Sequence, residues 1–244
     1  MSRGIRNRLF VGLDAKRLHT LQTCAPCTAL PVWRVDPQYP ERQTISLAGK
    51  VLGQGGVIIY PTETFYGLGG NPTLPVAVER VYRIKGRAFN KPLPLIASNL
   101  EAVYRAVAEW PKIAERLARM FWPGPLTLIL GAASSLLPLV HAGTGKVAIR
   151  ISSHPVSQAL ASETGGLLIA TSANRSGQQA YRTPMEIPGE LLAEVDGLID
   201  AGPTGGAFAD LASTIVDISS AAPRLVRPGC ISWEKVKRVL RAEG

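Results

Sequence analysis

From residue 44 to about residue 240, short apolar runs alternate with segments of helical spacing, and that alternation admits few architectures. Ile45, Leu47, Ala48, Val51 and Leu52 mark a helix stopped by Gly53 and the Gly55-Gly56 pair. Val57-Ile58-Ile59-Tyr60 is apolar throughout and broken by Pro61, as expected of a strand buried on both faces. The spacing predicts further helices over 76–85, 100–108, 111–121 and 155–164, the last with Pro155 in its first turn. Strands are predicted over 93–97, 126–130, 147–151, 167–171, 198–200, 213–218 and 224–226. Ser232 caps a final helix reaching about residue 240. Interleaved strands and helices of this kind predict an α/β fold with a large, twisted, mostly mixed sheet and flanking helices.

Residues 1–43 read differently. They show no sustained period and carry Arg3, Arg6, Arg8, Lys16 and Arg17, with Asp14 the only acid before Asp36. We expect a basic leader here, disordered or belonging to a start codon called too early, with an organelle transit peptide as the other reading. Much of the formal net charge of +9 lies in this leader, so the basicity of the remainder points only weakly to phosphates or RNA. No run approaches the ~18–20 apolar residues that span a membrane. Three cysteines are too few for a disulfide framework and favour a reducing, cytoplasmic setting. Cys24, Cys27 and the nearby His19 lack the fourth ligand of a zinc site, and His141 and His154 stand alone. No metal site is therefore assigned to protein side chains.

In α/β folds ligands gather at loops leaving the sheet, and four polar motifs sit at such places. Pro61 to Gly69 follows the buried run with hydroxyls, an acid, a tyrosine and glycines; by itself it is also an ordinary polar turn. Lys85-Gly86-Arg87 with Lys91 stands at a helix end, where a phosphate clamp and a solvated cationic cap are both consistent. Ser172 and Asn174 are two apart, so in extended chain they share a side. Arg150, Ser213-Thr214 and Arg227-Pro228-Gly229 form the fourth set. Metalloprotease, nucleophile-elbow, P-loop and Rossmann signatures are all missing. A kit of cations, hydroxyls and an amide suits chemistry in which substrates react with each other while the protein positions them and stabilises charge.

Taken in order, PTETFYGLGGNP, YRIKGRAFNKPLPL, FWPGPLTLIL, VAIRISSHP, ATSANRSG, ASTIVD and LVRPG closely resemble the YrdC family over residues 44–240. The resemblance implies a YrdC-like catalytic domain around a concave basic cleft. It implies a threonylcarbamoyl-AMP synthase that forms L-threonylcarbamoyladenylate and pyrophosphate from L-threonine, bicarbonate and ATP, with Mg2+ as counter-ion. A transferase complex would pass the group to the adenosine next to the anticodon of certain tRNAs, with direct tRNA contact a further expectation. In the family pattern Lys85 and Arg87, with Lys91, hold ATP phosphates, and Ser172, Asn174 and Arg227 complete the nucleotide site. Thr62, Thr64, Tyr66, Arg150 and Ser213 fall on the threonine and substrate side. Ala88, Ile96 and Arg182 differ from residues common in relatives. A non-catalytic RNA-binding protein and a paralogue with another substrate are the competing readings.

Overall fold

A computed structural model describes residues 29–206 and 211–241. The Cys24–Cys27 pair, His19 and the basic leader up to residue 28 lie outside the described residues.

The chain runs β1 (Val32–Arg34), α1 (Arg42–Gly53), β2 (Val57–Tyr60), β3 (Gly67–Gly70), α2 (Pro75–Lys85), β4 (Leu95–Ala97), α3 (Leu100–Ala106) and α4 (Lys112–Phe121). It continues with β5 (Leu126–Gly131), α5 (Pro138–His141), β6 (Lys146–Arg150), α6 (Pro155–Glu163), β7 (Leu167–Ile169) and β8 (Thr171–Ser172). A 3-10 turn at Pro184–Glu186 precedes α7 (Gly189–Leu192), β9 (Gly197–Asp200), β10 (Thr214–Asp217), β11 (Arg224–Arg227) and α8 (Trp233–Arg241). The α/β class holds, but the strands form two mixed sheets, ordered β1-β9-β2-β3-β8 and β11-β10-β5-β6-β4-β7. The chain passes from the edge of one sheet to the edge of the other at Ala170, between β7 and β8.

The folded chain starts before residue 44. Val32, Trp33 and Arg34 pair in parallel with Leu198, Ile199 and Asp200, and α1 begins at Arg42. Three residues are too short to show a period, which is why this edge strand was invisible in the sequence. The helices end where side-chain chemistry says they should. Pro75 opens α2 and Gly86, with φ +57°, closes it in the left-handed region; Asn99 caps α3 by accepting from Ala102 N at 2.9 Å.

Two cores lie on opposite faces of β2. Val57 and Ile59 join the larger one, Ile58 and Tyr60 the smaller, with α1 and α6. This accounts for the uninterrupted apolar run. The second sheet behaves differently. Leu126, Leu128 and Leu130 of β5, with Val147 and Ile149 of β6, enter the larger core. Thr127 and Ile129, Ala148 and Arg150 face the other way and line a cleft, as the period of two requires. One face of this sheet builds the core and the other builds the site.

Candidate active site

The cleft has a volume of about 670 Å3, within the ~300–1,000 Å3 range of small-molecule sites. All eleven site residues singled out above line it: Thr62, Thr64, Tyr66, Lys85, Arg87, Lys91, Arg150, Ser172, Asn174, Ser213 and Arg227. Among the described residues its lining holds five cations and no carboxylate.

One wall is built by the end of α2 against the β8 turn. Lys85 is 3% exposed, and its Nζ donates to Ser172 O at 2.6 Å and to Asn174 Oδ1 at 2.6 Å. Ser172 Oγ donates to the same Oδ1 at 2.6 Å, so Ser172 and Asn174, which share a side in extended chain, are bonded to each other, and Lys85 and Ser172 share one acceptor. Asn174 Nδ2 is fixed by Gln178 O, and Ser176 N donates to Lys85 O at 2.9 Å. Burial, reinforced by the positive charge of Arg87, pushes the Lys85 ammonium down to about 7. The two acceptors work against that shift, and an anion in the cleft would do so more strongly. Arg87 donates from Nε to Lys91 O and from Nη2 to Pro92 O, which anchors it across the turn that follows α2; burial lowers its pKa too. Lys91 is exposed at the rim.

The facing wall comes from β5, β6, β10 and β11. Arg227 donates to Ser213 O from Nε at 3.1 Å and from Nη2 at 2.8 Å, and to Ser213 Oγ at 2.9 Å. Ser213 Oγ in turn lies 2.9 Å from Thr127 Oγ1, a cleft residue that sequence reasoning missed because it sits inside a hydrophobic run. Burial and then the charge of Arg150 lower the pKa of Arg227, so the two guanidiniums are close enough to repel. Arg150 is 5% exposed and is held by Glu63, also missed, whose Oε1 accepts from its Nε at 3.0 Å.

The 61–66 loop joins these walls. Thr62 Oγ1 donates to Phe65 O at 2.7 Å and lies 3.1 Å from Thr64 Oγ1. Tyr66 borders the cleft, but its hydroxyl donates to Gly202 O at 2.7 Å and accepts from Ala201 N at 3.2 Å. That bonding makes it a brace between the loop and the end of β9. Arg182 stacks over the Phe65 ring at 5.4 Å. Ile96 is fully buried in the smaller core and does not line the cleft. Of the isolated histidines, His154 caps α6 through Nδ1, and His141 Nδ1 accepts from Gly145 N.

No group of three or more His, Cys, Asp or Glu that would hold a metal occurs among the described residues. Among the described residues the cleft lining, with five cations and no carboxylate, does not fit a metal held by protein ligands. No helix among the described residues is long and apolar enough to cross a membrane.

Comparison with known proteins gives the same frame. A family model named Sua5/YciO/YrdC, described as "Telomere recombination", matches residues 50–229. A threonylcarbamoyl-AMP synthase of Bacillus subtilis is 36% identical over 206 residues, which cover 84% of this chain and 57% of that protein. The crystal structure of P. abyssi Sua5 complexed with L-threonine superposes with a TM-score of 0.81 at 30% identity, over 86% of this chain and 61% of the other. The crystal structure of E. coli YciO superposes at 0.75 with 27% identity, over 82% of this chain and 96% of that one. The chain thus spans about three-fifths of the first two relatives and nearly all of the third. The matched region contains every cleft residue named above, and the chain belongs to the Sua5/YciO/YrdC family.

Proposed function

We propose that this domain is a threonylcarbamoyl-AMP synthase, converting L-threonine, bicarbonate and ATP to L-threonylcarbamoyladenylate and pyrophosphate. The observation that carries the reading is the placement of two cationic groups on facing walls of one cleft whose described lining has no carboxylate. Such a site attracts anions, and both reactants of the proposed step are anionic. The name of the Bacillus relative and the L-threonine bound to the Pyrococcus one support the same substrates.

The chemistry needs no protein nucleophile. The amine of threonine adds to bicarbonate with loss of water, giving a carbamate. A carbamate oxygen attacks the α-phosphorus of ATP, the bond to the β-phosphate oxygen breaks, and pyrophosphate leaves. Two anions must be aligned against their repulsion, so positioning and charge stabilisation supply the catalysis. Lys85, Arg87 and Lys91 hold the polyphosphate, with Mg2+ as its counter-ion. Ser172 and Asn174 orient Lys85, and Arg227 completes the nucleotide side. Thr62, Thr64, Arg150 and Ser213 face threonine and the reacting centre. A threonylcarbamoyl transferase complex takes the product to tRNA in the cytoplasm, with direct contact to the tRNA.

The test is pyrophosphate release from ATP in bicarbonate buffer with threonine, with serine and with no amino acid. We expect threonine-dependent release, reduced about a hundredfold or more in K85A and in R87A. Full activity in both variants refutes the phosphate role. RNA binding without threonine-dependent turnover favours the non-catalytic reading, and turnover with a different amine favours the paralogue.

A further inference from the structure

Glu63 stands behind the cleft and does not line it. It is nevertheless the carboxylate partner of Arg150 in an ion pair whose side chains are only 6% and 7% exposed. Its second oxygen, Oε2, accepts from Ser152 Oγ. Ser152 is fully buried and held from three sides: Ser157 Oγ donates to its hydroxyl at 2.8 Å, His154 N at 3.2 Å, and Gln158 Nε2 donates to its carbonyl at 2.6 Å. Glu63 therefore ties the 61–66 loop to the turn between β6 and α6.

The atom of Arg150 that Glu63 occupies is Nε. A guanidinium has five N–H donors in a rigid fork. With Nε taken by a residue outside the cleft lining, the side-on pairing through Nε is blocked and the donors not engaged by Glu63 are those of the two Nη groups, a pair that can meet a carboxylate or phosphate bidentately. The charge of Arg150 already disfavours that of Arg227, and loss of the Glu63 carboxylate would remove the counter-charge of Arg150. Holding one donor fixed sets the plane of the fork before a ligand arrives, which lowers the ordering cost of binding.

We infer that Glu63 is a positioning residue for Arg150: it takes Nε and presents the Nη fork to an anionic group of a substrate. The identity of that group rests on the synthase reading; its chemistry is an oxyanion, a carboxylate or carbamate on the threonine side or a phosphate on the nucleotide side. Glu63→Gln keeps an acceptor for Arg150 Nε and removes the charge; its amide donates where the carboxylate oxygen accepted from Ser152 Oγ, so that hydroxyl must turn. Glu63→Ala removes both and leaves a buried guanidinium unpaired, so its thermal midpoint is recorded alongside its binding.

Two measurements test the assignment. In 1H–15N spectra the Arg150 Nε–H should be protected from exchange in the wild type and in E63Q and unprotected in E63A. A wild-type signal exchanging as fast as that of E63A overturns the clamp, whatever the enzyme does. Separate calorimetric titrations with L-threonine and with ATP identify which ligand meets the fork. One of them should weaken about tenfold in E63A and less than about threefold in E63Q. On an R150A background, E63A should add less than about twofold, because a residue acting through Arg150 has nothing left to position. Equal losses in both backgrounds, or E63Q as weak as E63A at wild-type thermal midpoint, make Glu63 a general structural residue and overturn the inference. Absence of threonine-dependent pyrophosphate release in the wild type removes the synthase reading and leaves the Nε signal to decide on Glu63.

Discussion

If Lys85 meets the phosphates, nucleotide affinity must fall with rising pH in a range where most lysines are inert. The shift from the ordinary 10.5 to about 7 means that the ligand-free cleft disfavours the ammonium by roughly 5 kcal/mol relative to water. For stability the sign is clear. Below about pH 7 both the folded and unfolded chains carry this proton, and the full penalty weighs against folding. Between about pH 7 and about pH 10.5 the unfolded chain holds a proton that the folded one has lost, so stability rises with pH.

Binding runs the opposite way. A polyphosphate favours the ammonium and raises its pKa in the complex, so affinity is lost as pH climbs through about 7. From about pH 7 to about pH 8.5 the protonated fraction of the free protein drops from about one-half to about 0.03, and Kd should rise about fifteenfold. At about pH 7.5 binding should take up about three-quarters of a proton at Lys85. Calorimetry with a non-hydrolysable ATP analogue, in two buffers of different ionisation enthalpy at constant ionic strength, reads both quantities. K85M has no proton to gain; it should bind more weakly, with proton uptake no greater than the nucleotide's own. Matching proton counts and pH profiles for wild type and K85M refute the reasoning.

Two further predictions concern the scaffold that holds the cleft. Asp196 Oδ2 accepts from Val57 N at 2.7 Å and from Arg80 Nη1 at 2.6 Å, so D196A leaves a buried N–H without its acceptor. It should lose about 1–3 kcal/mol in urea unfolding, with D196N losing less; a change within about 0.5 kcal/mol contradicts the role. A Cβ on Gly69 would sit 2.5 Å from Tyr60 Cε1 and 2.6 Å from Ile169 O, while Tyr60 OH is itself bonded to Ile169 O. G69A should therefore lose about 1–3 kcal/mol, read as a drop of several degrees in thermal midpoint, and an unchanged midpoint would show that β3 has room to shift.

Gly69 also shows where the sequence stops being readable. Gly67-Leu68-Gly69-Gly70 reads as a flexible polar turn, because three glycines in four residues normally weaken a strand. In the fold it is β3, paired along β2, and the Cβ positions of Gly67 and Gly69 are taken by the Tyr60 ring. The glycines serve close packing between strands, a reason that depends on a residue across the sheet. The strands with apolar runs were legible because burial alone dictates them; the eleven cleft residues stood in polar motifs at strand and helix ends that also read as ordinary turns and caps, and the family resemblance singled them out. Glu63 and Thr127 were not. Each looks locally like something ordinary, an acid in a polar turn and a hydroxyl in a strand. For Thr127 a signal existed: in Leu126-Thr127-Leu128-Ile129-Leu130 the period of two puts Thr127 opposite the three leucines, on the face that carries Arg150 one strand away. For Glu63 there was none, since its meaning lies in Arg150, 87 positions further along the chain. Local chemistry is visible in a sequence when its partners are near or its period is regular; a buried charge is interpretable only once the fold has named its counter-charge.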